Sequence, residues 1–336
     1  MTEATPAATL MGLLMGAQVS QAIHVAAAMG IADLLSDGPR TSEELAAETG
    51  AHTGSLYRLL RALASVGVFR EDEQKRFALT PLGELLRSDV PGSLRGWAAF
   101  IGRPYFSAAW SELEHSVRTG ENAFRHVHGT DVWSYRAEHP EESEIFDRAM
   151  ESLTASSNRA LLDAYDFGRF ESVVDVGGGN GALLSALLDH YPAMRGILFD
   201  QSHVVANARS TLDAAGVGDR CTVVGGSFFE EVPVGGDAYT MKSILHDWDD
   251  PDAAAILRVC RSGLSEAARL LLIERIVGVV NEDPRTKFLD LNMLVVPGGR
   301  ERTIEEWLAL LESTGYVLVG TTATTSGLCV IEARAS

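Results

Sequence analysis

The sequence predicts an α/β protein: a doubly wound parallel sheet with a C-terminal antiparallel hairpin, preceded by a mainly helical region built as a helix-turn-helix with a wing. Three observations carry that prediction. From residue 171 onward, apolar β-branched runs alternate with helical spacing, giving strands at 171–176, 195–200, 220–225, 238–245 and 268–277 and helices at 181–190, 202–214 and 250–266. Such alternation writes a parallel sheet whose crossovers are helices. A helix capped by Thr303 and Glu306 then precedes two runs, 316–322 and 328–333, joined by a short Ser/Thr/Gly turn, which reads as a hairpin on the sheet edge. The first hundred residues, by contrast, are helical in spacing until a charged turn. The expected divisions are 1–100 (winged helical region), 101–165 (helical linker and pocket region) and 166–336 (sheet).

Taken in order, residues from about Leu10 to Leu35 space their apolar side chains as one helix, ending at Ser36-Asp37-Gly38-Pro39. Thr41 and Glu44 offer a capping box to a short helix from Glu44 to Thr49, and Thr53 opens a longer one with Leu56, Leu59, Leu60, Leu63 and Val66 on one side. Val68-Phe69-Arg70 and Phe77-Ala78-Leu79-Thr80 then flank a charged turn as the wing. No Asp, Glu, Lys or Arg occurs from Ala4 to Ala32, but Gln18, Ser20, Gln21 and His24 interrupt the stretch and no basic segment precedes it. It reads as a helix whose apolar partner is a second subunit, and no membrane partner is expected.

A winged helix suggests DNA, and charge argues against it. The chain carries a formal net charge of −18, and its first 100 residues hold eight Lys plus Arg against eleven Asp plus Glu. Neutralising phosphates needs clustered cations, so a dimerisation role is expected and no nucleic-acid partner. Cys221, Cys260 and Cys329 are odd in number and far apart, which suits a reducing, cytoplasmic setting. His126-Val127-His128 with Asp131 lacks further ligands, so no metal is expected.

The chemistry centres on Glu171–Ala182, where a valine-rich strand breaks into Gly177, Gly178, Gly179 and Gly181. Glycines there let the backbone turn sharply beside a ligand at a helix N-terminus. Gly177, Gly179 and Ala182 also satisfy G-x-G-x-x-A, so the turn alone leaves a nicotinamide cofactor open. Ligands of such sheets sit at the carboxyl ends of the strands. Asp200, 23 residues after Gly177, is placed to take ribose hydroxyls, Phe228 to cover an adenine face and Ser227 to bond its edge. Lys242, Ser243, His246 and Asp247 follow the fourth strand and Glu274 the fifth. Asp175, at the base of the turn, repels a pyrophosphate and attracts the ammonium and sulfonium of S-adenosylmethionine, unless it bonds the amides of its own turn.

Several segments together resemble the small-molecule O-methyltransferases of the plant caffeate and bacterial polyketide type, which use S-adenosylmethionine and release S-adenosylhomocysteine. They are V-V-D-V-G-G-G-N-G at 173–181, G-G-S-F-F-E at 225–230, M-K-S-I-L-H-D-W-D-D at 241–250, L-L-L-I-E-R at 270–275 and G-G-R-E-R-T at 298–303. The likeness covers nearly the whole chain and implies a Rossmann-like methyltransferase sheet after a dimerisation domain. It implies that His246 is the general base, held by Glu274 and Glu301, and that Gly177, Asp200, Phe228 and Lys242 contact the cofactor. Phe146 and Met150 would lie near its methionyl end and the acceptor, with Trp248, Asn292 and Met293 in the pocket. Two departures stand out: Ser227 where the family has Asp, and Gln201-Ser202 where it has Leu-Pro. The shorter, neutral serine implies a weaker or water-bridged bond to adenine. Aromatics between Trp97 and Tyr135 suggest a planar, phenolic acceptor, and an imidazole near its ordinary value of about 6.5 would serve as base. Methylation of nitrogen or carbon, or hydroxylation, are the alternative chemistries on such a fold.

Overall fold

The computed structural model describes residues 5–206 and 208–336, with the backbone alone at 155 and 156. The chain divides into two compact units, residues 1–108 with 134–153, and residues 109–133 with 154–336.

In the first unit, the single helix expected over residues 10–35 is three. Pro6–Leu14 and Gly16–Ala28 meet at a 42° bend, and Gly30 at φ +67° sets off Ile31–Leu34. Gly30 explains the second break, since glycine adopts the left-handed region freely, while the bend falls at Met15, just before Gly16 opens the next helix. Among the described residues no single helix is long and apolar enough to cross a membrane. Strand β1 (Arg40–Thr41) leads into Ser42–Thr49, whose N-terminus carries the expected capping box of Thr41 and Glu44. Thr53–Ser65 follows with Leu56, Leu60 and Leu63 buried, then β2 (Phe69–Glu71) and β3 (Arg76–Leu79) in the sheet order β1-β3-β2. The wing turn is tied by Asp72, which accepts from the N–H groups of Gln74 and Arg76. Further along, Phe100 gathers Trp97, Tyr105, Phe106 and Phe146 into an aromatic cluster.

The second unit contains a seven-stranded sheet: β4 (Ser172–Val176), β5 (Arg195–Asp200), β6 (Cys221–Gly225), β7 (Ala238–Lys242), β8 (Arg269–Glu274), β9 (Tyr316–Ala323) and β10 (Cys329–Ala335). Its order is β6-β5-β4-β7-β8-β10-β9, with the first five parallel and the last two antiparallel. The hairpin is inserted so that β10 pairs with β8 and β9 takes the edge. The order reverses between β4 and β7, which puts the topological switch, and hence the ligand crevice of such sheets, at their carboxyl ends. Val173, Val174 and Val176 of β4 are wholly buried because each face carries its own core. One core gathers Phe199, Tyr239, Leu257, Trp307 and Ile331, the other Leu184, Leu187, Leu198, Leu271 and Val330.

Two local expectations are corrected. The fourth strand stops at Lys242 and does not run to 245, because Ser243 takes φ +55° and turns the chain away. Residues 202–214 form two helices, Ser202–Val205 and Ala208–Ala214. Cys221, Cys260 and Cys329 are free and buried. His126 stacks flat on His115 and His128 tilts against Phe124, so both rings of the H-x-H motif pack on other rings.

Candidate active site

At the end of β4 the glycine turn folds back on the sheet: the N–H groups of Gly177 and Gly178 donate to the Phe199 carbonyl at 2.8 and 3.3 Å. Gly177 must be glycine twice over, since φ is +72° and a Cβ would stand 2.5 Å from Ile244. A Cβ on Gly179, also at positive φ, would meet nothing within 4 Å, so this part of the turn is open. Asp200, closing β5, accepts from Gly179 N–H at 2.9 Å through one oxygen and from Gln201 N–H at 2.7 Å through the other. Burial raises its carboxyl above the ordinary range, against the pull of those two amides.

Asp175 lies beneath this turn, 1 % exposed. One oxygen accepts from the Thr240 hydroxyl at 2.8 Å, and the other, buried, has no hydrogen-bond partner among the described residues. Burial pushes its carboxyl up to about 6, opposed by the Thr240 hydroxyl and by Lys242. Lys242, ending β7, is pushed down to about 8 by the same burial, opposed by Asp175. Its ammonium donates to Asn158 Oδ1 at 2.8 Å, while Asn158 Nδ2 donates to the Ala182 carbonyl at 3.0 Å.

Past Ser243 the chain makes a single 3-10 turn, Leu245–Asp247, that carries His246. Its Nδ1 is 3.1 Å from Glu301 Oε1 and 3.6 Å from Glu274 Oε2, and its Nε2 is 3.6 Å from Asp247 Oδ1. Glu274, wholly buried at the end of β8, accepts from the N–H groups of Ile244 and Leu245 at 3.0 and 2.9 Å, so it holds the turn as well as facing the ring. Burial pushes Glu274 up to about 7. Burial opposes a charge on His246, but Glu274, Asp247 and Glu301 outweigh it and raise the ring to about 10, well above the ordinary value expected from the sequence. A hydrogen bond to Glu301 requires the proton on Nδ1, which leaves Nε2 to face an acceptor in the neutral ring. The nitrogen and two carboxylates lie within 4.8 Å of one another, as metal ligands do. With its Nδ1 proton engaged by Glu301 the ring presents no lone pair toward those carboxylates, so a cation there would have to displace that proton.

The remaining predicted residues are more dispersed. Phe228 and Phe229 both meet the Trp248 ring edge-to-face, at 6.0 and 4.8 Å between centroids. Ser227 Oγ accepts locally from Phe229 N–H at 3.3 Å. Asn292 and Met293 share the helix Pro284–Val295, where Asn292 Oδ1 accepts from the Trp110 indole at 3.1 Å and Met293 is buried. Phe146 and Met150 belong to the first unit, where the Arg136 guanidinium lies 3.5 Å from the Phe146 ring centroid. Asn158, Thr240 and Arg302 went unrecognised as contributors. The signal for Arg302 is its place inside G-G-R-E-R-T; Thr240 carries none, being a single polar residue in an apolar strand, and Asn158 none, being one of several polar residues in the run S-S-N-R.

A parallel sheet in this order, with a glycine turn at its switch point and a carboxylate-bound histidine beyond the next strand, defines a class of cofactor-dependent transferase. Residues 110–317 match the model of the O-methyltransferase domain and residues 11–89 that of the O-methyltransferase dimerisation domain. The chain belongs to this O-methyltransferase family, whose methyl donor is S-adenosylmethionine. It is 46% identical over 325 residues to phenazine O-methyltransferase PhzM of Lysobacter antibioticus, covering 97% of this chain and 95% of that one. It is 42% identical to the mitomycin biosynthesis 6-O-methyltransferase of Streptomyces lavendulae (91% and 88% covered). To the 8-amino-8-demethylriboflavin N,N-dimethyltransferase of Streptomyces davaonensis it is 38% identical (94% and 92% covered). Among solved structures, LaPhzM superposes with a TM-score of 0.94 at 45% identity, covering 99% of this chain and 100% of that one. NcsB1, from neocarzinostatin biosynthesis, in complex with S-adenosyl-L-homocysteine and 1,4-dihydroxy-2-naphthoic acid, superposes with a TM-score of 0.82 at 35% identity (94% and 96% covered).

Proposed function

We propose that this methyltransferase acts on a hydroxyl of a planar aromatic natural product, as a homodimer in the cytoplasm, with His246 as general base. The observation that carries the reading is the hydrogen bond of Glu301 to His246 Nδ1, with the Glu274 carboxylate 3.6 Å from the same nitrogen, just past the switch-point strand. The three free, buried thiols support a reducing compartment.

S-adenosylmethionine supplies the electrophilic methyl group when bound. Asp175, Gly177, Asp200, Ser227, Phe228 and Lys242 are the residues that would hold it, with Met150 as a further candidate. The fit is chemical: each Asp200 oxygen, although bonded to a backbone N–H, keeps a lone pair for a ribose hydroxyl, and Asp175 offers a buried unpartnered oxygen beneath the turn. Phe146, Trp248, Asn292 and Met293 are the proposed acceptor contacts.

His246 takes the acceptor's proton at Nε2 while Glu301 holds Nδ1–H, and the imidazolium so formed sits among three carboxylates. Those carboxylates hold the ring proton up to about 10, and an ordinary phenol also titrates near 10. The raised proton affinity of the ring makes it a stronger base toward such a hydroxyl than an ordinary imidazole would be. The raised value keeps the ring protonated at neutral pH, so turnover should rise with pH from 7 toward 10. His246→Ala should lower turnover by roughly a hundredfold and leave S-adenosylhomocysteine binding unchanged. Product mass from a panel of phenolic acids, flavonoids and aromatic polyketides, followed by these pH profiles and calorimetry, tests the reading. Variant turnover within about threefold of the parent, or a flat profile from pH 7 to 10, removes His246 as base. Nitrogen methylation is the second reading, favoured by the relative that methylates an amino group; aniline-type acceptors in the same panel distinguish it.

A further inference from the structure

The turn that carries His246 satisfies its own carbonyls only in part: Trp248 N–H reaches the Leu245 carbonyl at 3.4 Å, and the His246 and Trp248 carbonyls take their donors from outside the turn. One loop, residues 298–303, supplies those donors and adds a second to the Leu245 carbonyl. Arg300 N–H donates to the His246 carbonyl at 2.8 Å. The Arg302 guanidinium spans the histidine: Nη1 donates to the Leu245 carbonyl and Nη2 to the Trp248 carbonyl, each at 2.9 Å. Gly299 lies so close to the same backbone that a Cβ would stand 2.0 Å from the His246 carbonyl oxygen. Between these contacts the loop sends Glu301 to the ring itself.

Arg302 is wholly buried, 0 % exposed. Its other donors reach Asp250 Oδ1, from Nε at 2.9 Å and Nη2 at 2.8 Å, and the Arg300 carbonyl, from Nη1 at 3.5 Å, and its guanidinium carbon lies 5.1 Å from the Trp307 ring centroid. A buried guanidinium is a poor source of stability, because desolvation cancels most of the attraction to its partners. What it supplies here is a rigid fork of donors that a point charge does not reproduce.

We propose that Arg302 is the positioning residue of the His246 turn: by bridging the carbonyls on either side of the histidine, it keeps the ring in register with Glu301. The proposal rests on the reading of His246 as base. The groups facing the ring are Glu274 on β8, Glu301 on the loop and Asp247 on the turn, and slippage of the turn draws the ring away from the first two.

The test follows the His246 ring by NMR in histidine-labelled enzyme saturated with S-adenosylhomocysteine, its signal assigned by loss in His246→Ala. Arg302→Lys should lower the midpoint of the ring's titration by about one pH unit or more. Turnover on the best acceptor of the panel should fall about tenfold, with S-adenosylhomocysteine affinity kept within about threefold. An unmoved midpoint in folded Arg302→Lys overturns the proposal. If that variant does not fold, Asp250→Ala, at an exposed helix start, should shift the midpoint in the same direction by a smaller amount, and no shift overturns it. In the His246→Ala background Arg302→Lys should cost nothing further; a second tenfold loss there means that Arg302 acts elsewhere, and overturns the proposal while leaving His246 as base. Full turnover by His246→Ala alone removes the base reading, and the catalytic meaning of the positioning with it.

Discussion

Asp175 is a carboxylate held where folding alone would not put one. With its carboxyl raised to about 6 from an ordinary value near 4, its ionisation opposes folding by roughly 3 kcal/mol at neutral pH. The sign follows from the direction: a raised acid costs nothing below its unfolded value, and the cost grows until the folded value is passed. Asp175→Asn, which keeps an acceptor for Thr240, should therefore melt higher than the parent at pH 7.5, with the gap closing toward pH 4. Its affinity for S-adenosylmethionine should fall about tenfold, as expected for a lost buried charge beneath a cationic ligand. Thermal melts across pH with calorimetry check both; a lower melting temperature at pH 7.5 means that the carboxylate is no burden. Asp175 was singled out in the sequence because it abuts four glycines. Its partner Thr240 was not, since it faces Asp175 only through the parallel pairing of β4 with β7, 65 positions on.

Among elements, the glycine turn and the 298–303 loop behave alike: each places backbone where a side chain would collide. Gly177→Ala should abolish measurable cofactor binding or weaken it at least tenfold, because the added methyl meets Ile244 and the left-handed φ resists any L side chain. Calorimetric affinity close to the parent's would show that Ile244 yields freely. Alternating periodicity made the order of strands and helices legible, and the capping box at Thr303 marked a helix start to the residue, whereas the helix capped by Thr41 begins at Ser42, two residues before the expected Glu44. Ser243 hid the end of β7, since a left-handed serine leaves no mark in a hydrophobic pattern. His246, Glu274 and Glu301, spread over 55 positions, were grouped by motif likeness; their burial, and with it the raised histidine, depends on a sheet that no local window contains.

At the scale of the molecule, the first helix leaves its apolar side chains uncovered within one chain: Leu10 and Met11 are each 58 % exposed, Leu13 74 % and Leu14 64 %. Such a run in a domain matched to a dimerisation family supports a partner of the same kind. Leu13→Glu with Leu14→Glu should convert a dimer to a monomer in sedimentation velocity without unfolding the sheet. Persistence of the dimer would place the interface elsewhere. The absence of charge between Ala4 and Ala32 made this face legible, whereas the bend at Met15 was not, because glycine at 16 is compatible with either a straight or a broken helix.

The burial of all three cysteines makes the native chain silent to thiol chemistry. Burial pushes the Cys221 thiol up to about 11 and Cys260 up to about 12, and raises Cys329 as well, so almost no thiolate exists at neutral pH. A single cysteine engineered at an exposed position would then be the sole reactive handle, and a fluorophore or spin label attached there could report on its own surroundings during turnover on an otherwise unaltered protein.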